Sequence, residues 1–281
     1  MRILPFKIPK SEQATFIFQV DDDESFFDKL HKHEEIQISL IFQGSGTLII
    51  GSTVNFYNQG DIVVIGSNLP HVFKSDLKAH KESKMFTLFF TKDSFGKHFF
   101  ELDPLKEMSP FFERAKYGFK ILTKKKQLIK LFHSLENNNR HNQFIVLLKI
   151  IKICSTVNYI SLSSFVYMRK FSEHEGKKIR DVIEYTMNNF QDEITLDCIS
   201  NVAALNKNSF CKYFKTHTNK TYFEFLNKIR VEYASKLLIN NTELQIAEIA
   251  FASGFKNISN FNRQFKKLKH QSPSGFRKKR I

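Results

Sequence analysis

At 281 residues the chain is long enough for two ordinary domains, and 42% hydrophobic with 25% charged residues, including 31 phenylalanines and no tryptophan, excludes global disorder. Its 43 lysines and arginines against 28 aspartates and glutamates leave a formal +15, which points to an anionic partner, either nucleic acid or an acidic membrane surface. The opening MRILPFKIPKSEQATF has no apolar run of secretory type, and Lys149 and Lys152 interrupt the patch around FIVLL, so a simple membrane span is excluded and a cytoplasmic location expected.

Up to about residue 100 the runs ATFIFQV, EIQISLIFQ, GTLIIG, DIVVIG and KMFTLFF alternate with the turn signals QGSG, YNQGD and GSNLP. Short strands at that spacing predict an all-β barrel or sandwich. From about 105 to 168 the texture becomes helical, through FFERAKYGFKILTKKKQLIKLFHSL and NNNRHNQFIVLLKIIKIC. There Ile145, Leu148, Ile151 and Cys154 recur at three-residue intervals and form a stripe for the barrel or a second subunit. The polar stretch RKFSEHEGKK, 169–178, is expected to be a linker, and everything beyond it reads as helices joined by short turns. The cysteines Cys154, Cys198 and Cys211 are scattered without a C-x-x-C pair, so neither a disulfide framework nor a zinc knuckle is suggested.

Basicity concentrates in the last third: from Gly176 onward 19 lysines and arginines face 9 acidic residues. In GFKNISNFNRQFKKLKHQSP, 254–273, a helix capped by Asn257 would bury Phe261, Phe265 and Leu268. Ser259, Arg263 and Lys266 would point outward, flanked by Asn260, Asn262 and Lys267, with no acid among them. IAEIAFAS just upstream is a second helix, and Gly254 suits the left-handed position that ends it. Helix, glycine turn and basic second helix make a helix-turn-helix, in which a carboxylate on the outer face would meet phosphate or acceptor-rich base edges. The layout occurs twice. LDCISNVAAL leads through Asn206 into KNSFCKYFKTH, with Phe210 and Phe214 inward and Asn208, Lys212 and Lys215 outward, although Ala204-Leu205-Asn206 offers no glycine at the turn. Between the units TYFEFLNKIRVEYASKLLIN, 221–240, is a rod that could fix one against the other.

The segments IRVEYASKLL, IAEIAFASGF, NFNRQFKK and QSPSGFRK resemble, in order and spacing, the DNA-binding domain of AraC/XylS-type transcription regulators. The resemblance covers about 105 residues and implies seven helices holding two helix-turn-helix units, at about 196–216 and 246–269, whose recognition helices enter neighbouring major-groove faces. By position it assigns base reading to Asn208, Cys211 and Lys212 in the first unit and to Ser259, Asn260, Asn262 and Arg263 in the second. Arg263 is the best single base contact, since guanidinium to guanine is the commonest specific pairing, whereas Lys266, Lys267 and Lys269 suit phosphate or a solvated face, and Lys215 joins the outward residues expected to bind DNA.

LHKHEEIQISLIFQGSGTLIIG with YNQGDIVVIGSNLPHVF resembles the cupin barrel over about 70 residues. In metal-binding cupins a His-x-His-x3-Glu strand and a later histidine supply ligands; here His31, His33 and His71 match, and Gln37 stands where the glutamate would be. Residues two apart on a strand share a face, so His31, His33 and Gln37 could enter one cavity while Ile36, Ile38 and Leu40 face away. Three imidazoles suit a divalent transition metal, hydrogen bonding to a small effector, or a structural role. In regulators of this type the barrel usually senses an effector, so no cofactor is expected as a rule, with a divalent metal as the exception.

The fold class expected is therefore mixed: a cupin-like all-β barrel plus helices over 1–168 and an all-α DNA-binding domain over 179–281. The function expected is sequence-specific transcription regulation without catalysis, by a homodimer joined through helices near 124–154, that binds double-stranded DNA and a small effector, with RNA polymerase allowed as a further partner and no membrane. The alternative is a cupin metalloenzyme, an isomerase or dioxygenase, with a basic C-terminal tail. No nucleophile elbow, P-loop or Rossmann signature offers any other chemistry.

Overall fold

The structure is a computed structural model that describes residues 4–5, 8, 14–51, 53–77, 79–163, 173–218, 220–241 and 243–278. The chain divides into two compact units, one reaching residue 170 and the other running from 171 to the C-terminus.

In the first unit the strands are β1 (Leu4–Pro5), β2 (Phe16–Asp23), β3 (His31–Lys32), β4 (Ile36–Gln43), β5 (Gly46–Ile50), β6 (Thr53–Tyr57), β7 (Ile62–Ile65), β8 (His71–Ser75) and β9 (Ser83–Phe90). After two 3-10 turns come helix α1 (Ser109–Ala115), strand β10 (Phe119–Ile121), helices α2 (Lys125–Glu136) and α3 (Arg140–Thr156), and strand β11 (Tyr159–Ser161). They build a five-stranded sheet, β1-β3-β8-β5-β6, and a six-stranded sheet, β11-β10-β7-β4-β9-β2. Pairing is antiparallel apart from the short β1–β3 match.

Alternation along β4 decides how the layers stack. Ile36, Ile38 and Leu40 join Phe86, Leu88 and Phe90 of β9 in a core shared with Phe111 of α1, Phe132 of α2 and Leu147 and Ile151 of α3. Ile41 and Met85, on the opposite pleat, join Leu48, Tyr57 and Phe73 in a second core between the sheets. A strand buried on both faces reads as a nearly continuous apolar run, and EIQISLIFQ does.

Three sequence expectations change. GFKI is a strand inside the stretch read as helical: Gly118 adopts φ +63°, and Phe119 and Lys120 pair with β7 while Lys120 and Lys125 both bind the buried Asp61. The buried stripe of α3 is Val146, Leu147, Ile150, Ile151 and Cys154; Ile145 is exposed, because the helix presents two adjacent rows to the sheet rather than one three-residue row. Of the expected linker, residues 169–172 lie outside the described residues, and 173–178 are already helical.

The second unit holds seven helices among the described residues: α4 (Glu173–Asn189), α5 (Leu196–Val202), α6 (Lys207–Thr218), α7 (Tyr222–Asn240), α8 (Ile246–Ala252), α9 (Ile258–Lys269) and α10 (Pro273–Lys278). Helix α7 starts at a capping box of Thr221 and Glu224 and serves both pairs. Its first half packs Phe225 against Phe214 with ring centroids 5.6 Å apart; its second half buries Val231, Ala234 and Leu238 with Phe261 and Phe265.

The two turns are built alike. Ala204 and Gly254 both take left-handed backbone, at φ +50° and +86°, and the next residue's N–H reaches back to Ser200 O at 3.0 Å and to Ala250 O at 3.1 Å. A β-carbon at 254 would collide with the Phe190 carbonyl oxygen and with Arg230, whose Nε donates to that same oxygen at 2.7 Å. Opposite effects follow from the shared conformation. Gly254→Ala should cost at least about 1–2 kcal/mol in the second unit and Ala204→Gly should add up to about 1 kcal/mol, read as denaturant midpoints. Equal signs for the two would refute the shared turn geometry.

Candidate functional site

Helices α6 and α9, the second helix of each pair, carry an outer face without a carboxylate. On α6, Asn208, Cys211, Lys212 and Lys215 are exposed while Phe210 and Phe214 are fully buried. The helix is started by Asn206, whose Oδ1 accepts from Ser209 N at 2.8 Å. On α9, Ser259, Asn262, Arg263, Lys266 and Lys267 are exposed and Asn260 is half-buried, over the buried pair Phe261 and Phe265. Asn257 caps it by accepting from Asn260 N at 2.8 Å, and Arg263 Nη2 donates to Asn260 Oδ1 at 3.1 Å, which aims the guanidinium along the exposed face. Lys269, grouped by sequence with the phosphate-facing lysines, instead pairs with Glu232 at 2.5 Å and is mostly covered. Ile258 lies on the exposed margin. The structure thus places the candidate residues of each unit on one side of one helix.

The other candidate is a cavity of about 460 Å³ at the first unit, with His31, His33, Gln37 and His71 in its wall. The route by which they meet differs from the single strand expected. His31 belongs to β3 in the five-stranded sheet and Gln37 to β4 in the six-stranded sheet, and the chain crosses between them at Glu34–Glu35. His31 pairs in register with His71, and their rings lie 4.2 Å apart, with His33 5.0 Å from His71.

Each imidazole has Nδ1 against a main-chain oxygen two residues away: Lys29 O at 2.8 Å, Glu35 O at 2.9 Å and Leu69 O at 2.8 Å. A carbonyl only accepts, so Nδ1 carries the proton in His31 and His71, whose neutral rings keep a lone pair on Nε2, whereas both nitrogens of His33 face oxygens, Glu35 O and Gln37 Oε1. Burial favours the neutral form: it pulls the pKa of His31 down to about 4, lowers that of His33 against its hydrogen bonds to Gln37 and Glu35, and lowers that of His71 well below the ordinary value, with His31 and His33 adding to the effect. Gln37 lies 3.2 Å from His33 Nε2 and 2.9 Å from Ser39 Oγ, in a buried chain that continues to Thr87. It anchors His33 rather than facing an ion as the absent glutamate would. His71 Nε2 is buried without a hydrogen-bond partner among the described residues.

Ring nitrogens of the three histidines lie within 4.8 Å of one another, and Nδ1–H bonded to carbonyl is the usual support of a metal-bound imidazole, so the donor set fits a divalent transition metal. His31, His33 and His71 would hold it, and it would supply Lewis acidity.

Sequence reading missed the rest of the wall. Gln19, Asp21 and Asp23 of β2, Asp28 and the rings of Phe26, Phe27, Phe73 and Phe89 also line the cavity. The one signal was the acidic run DDDE at 21–24 in a strongly basic chain.

No helix among the described residues is long and apolar enough to cross a membrane. Residues 199–279 match the family model of a helix-turn-helix domain. The uncharacterized HTH-type transcriptional regulator YdeC of Bacillus subtilis (strain 168) is 24% identical over 259 residues, covering 89% of this chain and 86% of its own. An HTH-type transcriptional regulator of Staphylococcus aureus is 30% identical over 100 residues, 36% of this chain, which spans only 13% of that relative's length. Among solved structures, ToxT from Vibrio cholerae aligns over 94% of this chain and 98% of its own at 16% identity with a TM-score of 0.35. The matched segment runs from α5 through α10, so that the second unit carries a helix-turn-helix domain of the AraC/XylS type.

Proposed function

We propose that the protein is a cytoplasmic, sequence-specific transcription regulator in which α6 and α9 read neighbouring major-groove faces of DNA and the histidine-lined cavity takes a small effector. The observation that carries this reading is the pair of exposed, carboxylate-free helix faces, each set by an asparagine cap and a left-handed turn. Asn208, Cys211, Lys212, Ser259, Asn260, Asn262 and Arg263 are assigned to base edges, and Lys215, Lys266 and Lys267 to phosphate. The cupin-like reading of the first unit is supported by its two sheets and convergent histidines. Dimerisation is placed on α2 and α3, where Leu131 and Ile153 line a groove open to solvent. Effector occupancy then biases how two copies present their DNA-binding units, a coupling between distinct sites, and tethering raises affinity for paired half-sites. RNA polymerase is a further partner in this scheme.

The test begins with selection of a bound site from a random DNA pool. On that site Arg263→Ala should cost about 1–3 kcal/mol and relax specificity at one position, whereas Lys267→Ala should weaken cognate and random DNA alike and reduce the salt slope by about 1. Equal losses on cognate and random DNA for Arg263→Ala would remove it from base reading. A metalloenzyme reading would instead require turnover that depends on His31, His33 and His71.

A further inference from the structure

The cavity wall is unlike the rest of the molecule in charge. In a chain of net +15, no lysine or arginine lines it among the described residues, while three carboxylates do: Asp21, Asp23 and Asp28. Strand alternation explains the placement. Gln19, Asp21 and Asp23 share one pleat of β2 and face the cavity, while Asp22 on the opposite pleat is paired with Lys84 at 2.7 Å. Asp21 is half-buried, accepts from Gln19 Nε2 at 2.5 Å, and has its carboxyl pushed above the ordinary pKa by burial and, more weakly, by Asp23. Asp23 and Asp28 are exposed at the rim.

The inner wall has the same polarity. His71, 1% exposed, presents Nε2 as a lone pair with no hydrogen-bond partner among the described residues. A buried acceptor left unmade costs free energy, so the groups that complete this wall are hydrogen-bond donors. The apolar part is aromatic, from Phe26, Phe73 and Phe89 with Phe27 at the entrance, and ring faces attract cations. A volume of about 460 Å³ holds an organic molecule rather than a lone ion, which would leave Asp21 and the aromatic wall unused.

We propose that this cavity binds a small organic cation bearing a primary ammonium or guanidinium group, its N–H donors directed to His71 and Asp21 and its carbon frame against the phenylalanines. The proposal rests on the reading of the cavity as the effector site. It names the chemical class of that effector.

The experiment uses the full chain and measures binding calorimetrically with probes that differ in charge: 2-phenylethylamine, putrescine and agmatine as cations, phenylacetate and succinate as anions, 2-phenylethanol as the neutral match, and zinc chloride as the metal. Expected is binding by at least one cation, weakened about tenfold or more in Asp21→Asn and about two- to fivefold in the exposed Asp28→Asn. Asp28 is exposed, so a loss there does not reflect misfolding. Anions or the neutral alcohol binding as well as the amines would overturn the cationic class and leave the effector reading intact. Binding of zinc with none of the organic probes would overturn it in favour of a metal site. No binding by any probe would overturn both the proposal and the effector reading beneath it.

Discussion

Phe265→Ala is expected to lower the stability of the DNA-binding unit by about 3–5 kcal/mol, the range for truncating a fully buried phenylalanine. The ring sits at the centre of its core, with centroids 5.5 Å from both Phe261 and Phe276, amid Val231, Ala234 and Leu238 of α7 and Ile249 and Ala250 of α8. Little else fixes α9. Its remaining inward residues are Phe261 and the half-buried Leu268, and Lys269 ties its last turn to Glu232 of α7. With domain stabilities of about 5–15 kcal/mol, such a loss removes a large part of the total. Calorimetry of the full chain should show the second unit's transition fall by more than about 10 °C while the first unit's stays in place. DNA binding should weaken on cognate and random sequences together, because the helix itself is displaced. This separates Phe265 from Arg263, whose loss is confined to the cognate site. An unchanged transition would mean that α9 is held by contacts other than this core.

The contrast between the two units shows what local pattern can and cannot encode. The outer faces of α6 and α9 were legible because a helix is its own ruler: once Phe210 and Phe214, or Phe261 and Phe265, are inward, the 3.6-residue period alone places Asn208 or Arg263 outside. Ala204 hid its left-handed turn, since alanine carries no signal for that conformation and Gly254 does. In the first unit β4 and β9 were legible as short β-type runs bounded by turn signals, whereas β10 lay inside an amphipathic run with helix-forming lysines and became a strand only by pairing with β7 and β11. The resemblance to the cupin barrel named the three cavity histidines, but the single strand expected to carry His31, His33 and Gln37 breaks at Glu34–Glu35. Asp21 and Asp23 showed only as part of the acidic run DDDE, which says nothing of the cavity they line. Their place beside His71 depends on how two sheets stack, and no periodicity within β2 records that.

Acid should destabilise the first unit well above the carboxylate range. An unfolded histidine takes a proton near pH 6.5, whereas His31 in the fold resists until about pH 4, because burial outweighs its bond to the Lys29 carbonyl and His33 stands close by. Between those values the unfolded state binds the extra proton, so stability falls as pH falls, at up to about 1.4 kcal/mol per pH unit and by about 3 kcal/mol at pH 4 from His31 alone. His33 and His71 are depressed in the same direction and steepen the slope. Asp61, held below its ordinary pKa by Lys125 and Lys120 against the effect of burial, loses its contribution only at lower pH, and Asp21, raised by burial, works in the opposite direction near the carboxylate range. Unfolding followed from pH 7.5 to 4.5 should therefore show a falling midpoint for the first unit, flattened in His31→Gln by about one proton's worth of slope. A constant midpoint would mean that the rings are not held neutral. Because the fold holds the His71 ring neutral well below the ordinary histidine pKa, the stabilisation given by a bound amine should persist as pH falls through about 6.5, and its loss there would mean that the ring takes up a proton as a free imidazole does.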